Sequence, residues 1–321
     1  MRKVLIYTKV NGAELSNKDY SITNKLNLAP FETIEAKSEK EYYENVPESE
    51  IIISSLIDEN VINNAKKLKW IQALTAGVNH MPTKIISEKN IILTSLKGAH
   101  KIQMTEYAIA MMVIVARQLK SIIINSENKQ WIKVMPQTEI FGSTLGIMGV
   151  GEIGSELAKK AHMMGMNVLG VKRVLKDMPY IDKMYTFASI DDFYEQCDYI
   201  VNLLPATEQT HKIVDIKSFK RMKDTACFIN IGRGSTVNED DLAFALKTKE
   251  IAFLVSDVFY HEPLSKKSPL WDMDNVIITP HICGPSNKYM EKATPIILKN
   301  LKSYLNCPNE MINIYDNKIG Y

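Results

Sequence analysis

The sequence predicts an α/β protein of two domains, each built on a doubly wound parallel sheet. Three observations carry this. The chain has 321 residues, more than one hydrophobic core usually spans. Short apolar runs alternate with charged, helix-period segments almost from end to end, the pattern of parallel strands covered on both faces. A glycine turn in the spacing GxGxxG joins one such run to one such helix.

In chain order, the first strands are expected at Val4–Tyr7, Ile51–Ser54, Trp70–Leu74 and Ile91–Thr94. Ser38–Asn45 and Glu59–Lys67 have the charge spacing of surface helices. A long amphipathic pattern from Ile102 to Asn125, with no Gly or Pro, predicts one continuous helix. A second series of strands follows at Leu145–Gly149, Val168–Val171, Tyr199–Leu204, Cys227–Ile231, Ala252–Ser256 and Val276–Thr279. Helical patterns at Glu152–Met164, Asp215–Met222 and Glu239–Lys247 separate several of them, and Lys288–Leu305 reads as a last helix. The break between the two series falls near Gly98, in LKGAH, a candidate hinge. Met163, Met164 and Met166 read as core packing at a helix end.

Composition removes several classes of function. Hydrophobic residues at 45% and charged residues at 24% are globular values, not those of a disordered chain. Lys+Arg 39 against Asp+Glu 37 leaves a net charge of +2, without the basic excess that a nucleic-acid partner selects. The longest apolar stretch, Tyr107–Ala116, is about half a membrane span. The start MRKVLIYTKV meets Lys9 too early for a signal peptide. No membrane partner is expected. Cys197, Cys227, Cys283 and Cys307 are scattered, which fits a reducing cytoplasm and gives no metal cluster. His261 and Glu262 open HEPLS, which lacks the second histidine of a zinc motif, so no metal is expected.

The turn reads LGIMGVGEIG, Leu145–Gly154. Gly149 suits the tight turn, Gly151 the close approach of a pyrophosphate and Gly154 the packing of helix on strand. Glu152 and Ile153 open the helix, whose free N–H groups favour a phosphate. NAD-binding versions of this turn carry an acidic residue at the end of the next strand. Here that strand runs NVLGVKRVLKD and places Lys172 and Arg173 there. Two cations suit a 2′-phosphate, favouring NADP(H) over NAD(H); as solvated surface charges they would leave NAD binding intact.

In such sheets ligands bind beyond the carboxyl ends of the strands. The later runs are followed there by Leu204–Pro205, by Arg233 between Gly232 and Gly234, by Asp257 with Glu262 close behind, and by His281 after Pro280. Reduction of a 2-keto acid needs a fixed cation for the carboxylate and a proton donor for the carbonyl oxygen. Arg233 offers the fork, His281 the proton, and Glu262 a carboxylate to hold the imidazole.

The stretches TLGIMGVGEIG, NLLPATEQTHKIV, FINIGRGSTVNEDDLAFAL, DVFYHEPL and TPHICG resemble the D-isomer-specific 2-hydroxyacid dehydrogenase family. The resemblance implies a Rossmann-type dinucleotide-binding domain over residues 99–287. It also implies a discontinuous, flavodoxin-like substrate domain over 1–98 and 288–321. It implies Arg233 as carboxylate anchor, His281 as acid/base and Glu262 as its partner. Asp257 is implied to bond the nicotinamide carboxamide, and Leu204, Pro205, Thr207, Ile231 and Gly284 to line the cofactor cleft with Arg233 and His281. LTAGVNH resembles the family's substrate loop, implying that Ala76 and Gly77 give backbone N–H groups to the substrate. A homodimer is implied as well. Lys172 departs from the family's acidic residue. Glu262 differs from the Gln of formate dehydrogenases, and no regulatory domain is expected after the last helix. Leu56, Ile57, Leu74 and Tyr289 are placed to shape the substrate side-chain pocket. The rival reading is a dinucleotide-binding co-repressor or redox sensor of the same fold.

Overall fold

A computed structural model of the chain describes residues 2–10, 13–14, 30–134 and 136–317. The chain divides into two compact units, one of Met1–His100 with Pro285–Tyr321 and one of Lys101–Gly284. Both are α/β.

In the first unit the strands are β1 (Arg2–Tyr7), β2 (Lys9–Val10), β3 (Ala13–Glu14), β4 (Phe31–Glu35), β5 (Ile51–Ser54), β6 (Trp70–Ala73) and β7 (Ile92–Thr94). β2 and β3 form a small antiparallel ladder. The others make a parallel sheet in the order β4-β1-β5-β6-β7, the flavodoxin-like order, with its reversal at β1 and β5. β5 and β6 are buried on both faces, which is why they read as unbroken apolar runs. The helix Tyr289–Asn306 covers one face, setting Ala293, Ile297 and Leu301 against Val4, Ile51 and Trp70. Short helices cover the other with Tyr42, Val61, Ile62 and Ile86. Two of these begin at side-chain caps, Ser38 to the Glu41 N–H and Asp58 to the Val61 N–H.

Polar side chains stitch this unit internally. Gln72 Oε1 accepts from Thr94 Oγ1 at 2.9 Å and from Asn300 Nδ2 at 3.0 Å, with all three residues fully buried. Asn300 also bonds the Ile312 carbonyl and N–H, at 3.1 and 2.7 Å. A buried polar group costs stability unless paired, so this network fixes the register of the last helix on the sheet.

The second unit contains β8 (Thr144–Met148), β9 (Asn167–Val171), β10 (Lys183–Tyr185), β11 (Tyr199–Asn202), β12 (Cys227–Asn230), β13 (Phe253–Ser256) and β14 (Val276–Ile278). They pair in parallel in the order β10-β9-β8-β11-β12-β13-β14, with the Rossmann reversal between β8 and β11. Two core clusters, around Phe193, Phe219 and Phe228 and around Leu157, Ile147 and Ile229, occupy its two faces.

Two expectations are corrected here. The pattern Ile102–Asn125 is not one helix. It breaks into Lys101–Ala116 and Leu119–Glu127, bent by 73°, with Gln118 left-handed at φ +51°. The returning chain makes the break: the Thr138 N–H bonds the Ala116 carbonyl at 2.9 Å, and Gln118 Nε2 bonds the Pro136 carbonyl. Of the three methionines only Met166 is buried, at 3% exposure, whereas Met163 is exposed to 73% because it follows the helix onto its solvent side. Among the described residues no single helix is long and apolar enough to cross a membrane.

Candidate active site

Gly149 takes φ +97°, open to glycine at little cost. A Cβ on Gly154 would meet the Gly149 carbonyl oxygen at 2.7 Å, so only glycine lets the helix Glu152–Met163 start so close to β8. A Cβ on Gly151 would meet nothing within 4 Å. The turn is therefore tight below and open above, with the first N–H groups of a three-turn helix facing the opening, which fits a pyrophosphate. Lys172 and Arg173 follow β9 beside it, and neither has an ion-pair partner among the described residues.

Around the carboxyl ends of β11 to β14 the loops close on one another. Gly232 lies against the Leu204 backbone, where a Cβ would meet N and O at 2.9 Å. Gly234 lies against Phe259, where a Cβ would sit 2.0 Å from the carbonyl carbon. Arg233 is thus held between the loops that carry Leu204 and Glu262. Its Nη1 donates to the Gly232 carbonyl at 2.7 Å and its own carbonyl accepts from Thr236 Oγ1 at 2.6 Å. Burial pulls the guanidinium down from its ordinary value, opposed by nearby Cys283 and Glu262; an arginine so placed stays charged.

His281 Nδ1 lies 2.7 Å from Glu262 Oε2, and Glu262 Oε1 accepts the Phe259 N–H at 3.0 Å. The carboxylate is anchored at one oxygen and orients the imidazole with the other, leaving Nε2 for a reacting group. The pair is open to solvent, at 51% and 36% side-chain exposure. Asp257 differs. It is fully buried, and its carboxylate accepts from the Ile282 N–H at 2.9 Å, the Cys283 N–H at 3.0 Å and Thr279 Oγ1 at 2.5 Å. Those bonds tie it into the loop after β14. Burial also pushes the Cys283 thiol well above its ordinary range.

The remaining expected residues have definite places. Leu204 and Ile231 are buried, at 4% and 1% exposure, and Thr207 closes a capping box with Thr210. The Gly284 carbonyl accepts Gln103 Nε2 at 2.9 Å. In the first unit Ala76 and Gly77 lie half-buried just beyond β6, where Thr75 Oγ1 bonds the Gly77 carbonyl at 2.8 Å. Ile57, Leu74 and Tyr289 are core residues, with Tyr289 Oη donating to the Leu74 carbonyl at 2.9 Å. Only Leu56 of the four residues expected to shape a pocket is not fully packed. Sequence reasoning also passed over Asn202 and Asn230. Asn202 Nδ2 bonds Asn230 Oδ1 and Thr236 Oγ1 at 3.0 and 2.7 Å, and the Leu204 N–H bonds Asn202 Oδ1 at 3.1 Å. An asparagine inside an otherwise apolar strand was the available signal.

Residues 109–283 match the family described as D-isomer specific 2-hydroxyacid dehydrogenase, NAD binding domain. A glyoxylate/hydroxypyruvate reductase B of Klebsiella pneumoniae is 28% identical over 296 residues, 89% of each chain. A crystal structure of a D-isomer specific 2-hydroxyacid dehydrogenase family protein from Aeromonas salmonicida superposes with a TM-score of 0.85. It is 28% identical, with 98% of this chain and 99% of that one covered. A Rhizobium etli structure in complex with NADP, HEPES and L(+)-tartaric acid gives 0.79 at 25% identity, covering all of both chains. The chain belongs to the D-isomer specific 2-hydroxyacid dehydrogenase family. It is a nicotinamide-dependent oxidoreductase of small 2-hydroxy and 2-keto acids, and the co-repressor reading is not favoured.

Proposed function

We propose that the protein reduces a 2-keto acid to the D-2-hydroxy acid, with NADPH preferred to NADH. The observation that carries the reading is the 2.7 Å contact of His281 Nδ1 with Glu262 Oε2, with Glu262 in electrostatic reach of the half-buried Arg233. When bound, the reduced nicotinamide supplies the hydride. Arg233 binds the substrate carboxylate through its fork, and His281 gives a proton from Nε2 to the carbonyl oxygen. Glu262 holds the ring and stabilises its protonated form. Ala76 and Gly77 are assigned as main-chain donors to the substrate, and Leu204, Pro205, Thr207, Ile231, Asp257 and Gly284 as cofactor contacts. Asp257 would reach a carboxamide only through acceptor capacity left beside its three bonds.

The unpaired Lys172 and Arg173 support the preference for the 2′-phosphate, as does the NADP held by the Rhizobium etli relative. Trp131, 97% exposed, with Ile132 and Phe141 also exposed, supports a homodimer formed through the dinucleotide-binding unit. The four free thiols suit the cytoplasm.

The test is oxidation of NADPH and NADH, in parallel, against a panel of 2-keto acids. NADPH is expected to be preferred, and replacing Lys172 and Arg173 together by Ala should raise its KM while leaving that of NADH nearly unchanged. Preference for NADH would remove the clamp. Absence of turnover with both coenzymes would overturn the substrate class.

A further inference from the structure

We propose that Tyr107 and Gln103 are positioning residues for the acid/base histidine, acting by fastening both ends of the turn that carries it. The inference rests on the assignment of His281 above. His281 is held at φ +55°, a left-handed conformation that an L side chain enters only under constraint. Much of the constraint comes from Asp257. Its backbone carbonyl accepts the His281 N–H at 2.9 Å, and its carboxylate takes the next two N–H groups, of Ile282 and Cys283. Three successive amides of the turn thus close on one buried residue.

The helix Lys101–Ala116 reaches the same turn twice. Gln103 and Tyr107 lie one helical turn apart, on one face. Gln103 Nε2 donates to the Gly284 carbonyl at 2.9 Å, and Tyr107 Oη lies 2.6 Å from Thr279 Oγ1. The proton count fixes the direction of the second bond. Thr279 has one hydroxyl proton and donates it to Asp257 Oδ1 at 2.5 Å, so the phenol donates to Thr279. Burial raises the Tyr107 phenol above its ordinary range, so the donor keeps its proton at any working pH. A relay therefore runs from Tyr107 through Thr279 to Asp257, and Asp257 holds the amides that set the His281 backbone.

The experiment compares Tyr107→Phe, Gln103→Ala, Thr279→Val and Thr279→Ser with wild type. The readouts are kcat and KM for a 2-keto acid, and hydrogen exchange of the amides of residues 281–283 in the free protein. Tyr107→Phe should quicken that exchange about fivefold, the factor one net hydrogen bond contributes. It should lower kcat by about the same factor while both KM values move less than about twofold, because aim is lost rather than binding. Gln103→Ala should act in the same direction. Thr279→Val should equal or exceed Tyr107→Phe, and Thr279→Ser, which keeps the hydroxyl, should restore both readouts. Unchanged exchange in Tyr107→Phe, or faster exchange with unchanged kcat, overturns the proposal. Wild-type turnover in His281→Asn would instead remove the acid/base assignment, and the exchange data would show that failure to be separate from the tether.

Discussion

Strand β6 of the first sheet and β13 of the second are both four-residue parallel strands inside a covered sheet, yet their polar groups are spent differently. In β6 the polar residue lies within the strand. Gln72 is fully buried and bonded to Thr94 and Asn300, and the chain leaves the strand through uncharged Leu74–Gly77. In β13 a buried serine, Ser256, ends the strand and the charged residue follows it. Asp257 fastens the neighbouring loop, and Glu262 and His281 stand five residues on and across the rim with their tips in solvent. Polar groups turned inward hold the first sheet together. Those beyond the strand ends of the second fasten a loop and leave the His281–Glu262 pair in solvent.

Substitutions can break this contrast. The largest effect is expected from His281→Ala, which should lower kcat by about 10²–10⁴-fold with little change in melting temperature. Wild-type turnover in that variant would mean the exposed pair is not the chemistry. Arg233→Ala should follow, with KM for the keto acid raised, kcat lowered and kcat/KM down by about 10²–10³-fold in steady-state assays. Asn300→Ala probes the other side. It removes three buried bonds in the first unit, so denaturant titration should show a loss of about 2–4 kcal/mol. Turnover of the folded fraction should persist.

A weaker effect should be shared by both units. Burial pushes the Tyr199 phenol of the second unit up to about 12, and raises that of Tyr304 in the first. Between about pH 10 and pH 12 the unfolded chain ionises these tyrosines while the folded chain keeps them neutral, so the folded form binds more protons. The contribution of Tyr199 to stability is complete below about pH 10 and is lost as pH rises through 12, and that of Tyr304 falls in the same direction. Melting followed against pH, with tyrosinate absorbance, should show one alkaline decline rather than two.

In both sheets the inner strands were more legible than the outermost ones, β4 and β10, for a physical reason. CFIN and YIVN are buried on both sides, so they stand out as apolar runs between helical patterns. FETIE of β4 and KMY of β10 lie at sheet edges, where one neighbour and partial burial leave a mixed composition. The break at Gln118 left no Gly or Pro in the sequence because it is made from outside the helix, by residues 136–138. The site followed the same division. Arg233, Asp257, Glu262 and His281 could be read as residue types at strand ends, whereas the bond from Tyr107 to Thr279 joins residues 172 positions apart and has no local signature.

The return of the chain to its first sheet sets an order on biosynthesis. Ala293, Ile297 and Leu301 cover a face formed by Val4, Ile51 and Trp70. Residues 101–284 must leave the ribosome between those two sets, which takes roughly ten seconds or more. During that interval the nascent first sheet exposes a bare apolar face, while the second unit already has its whole sequence by residue 284. The later-made unit thus has its whole sequence before the earlier-made one does.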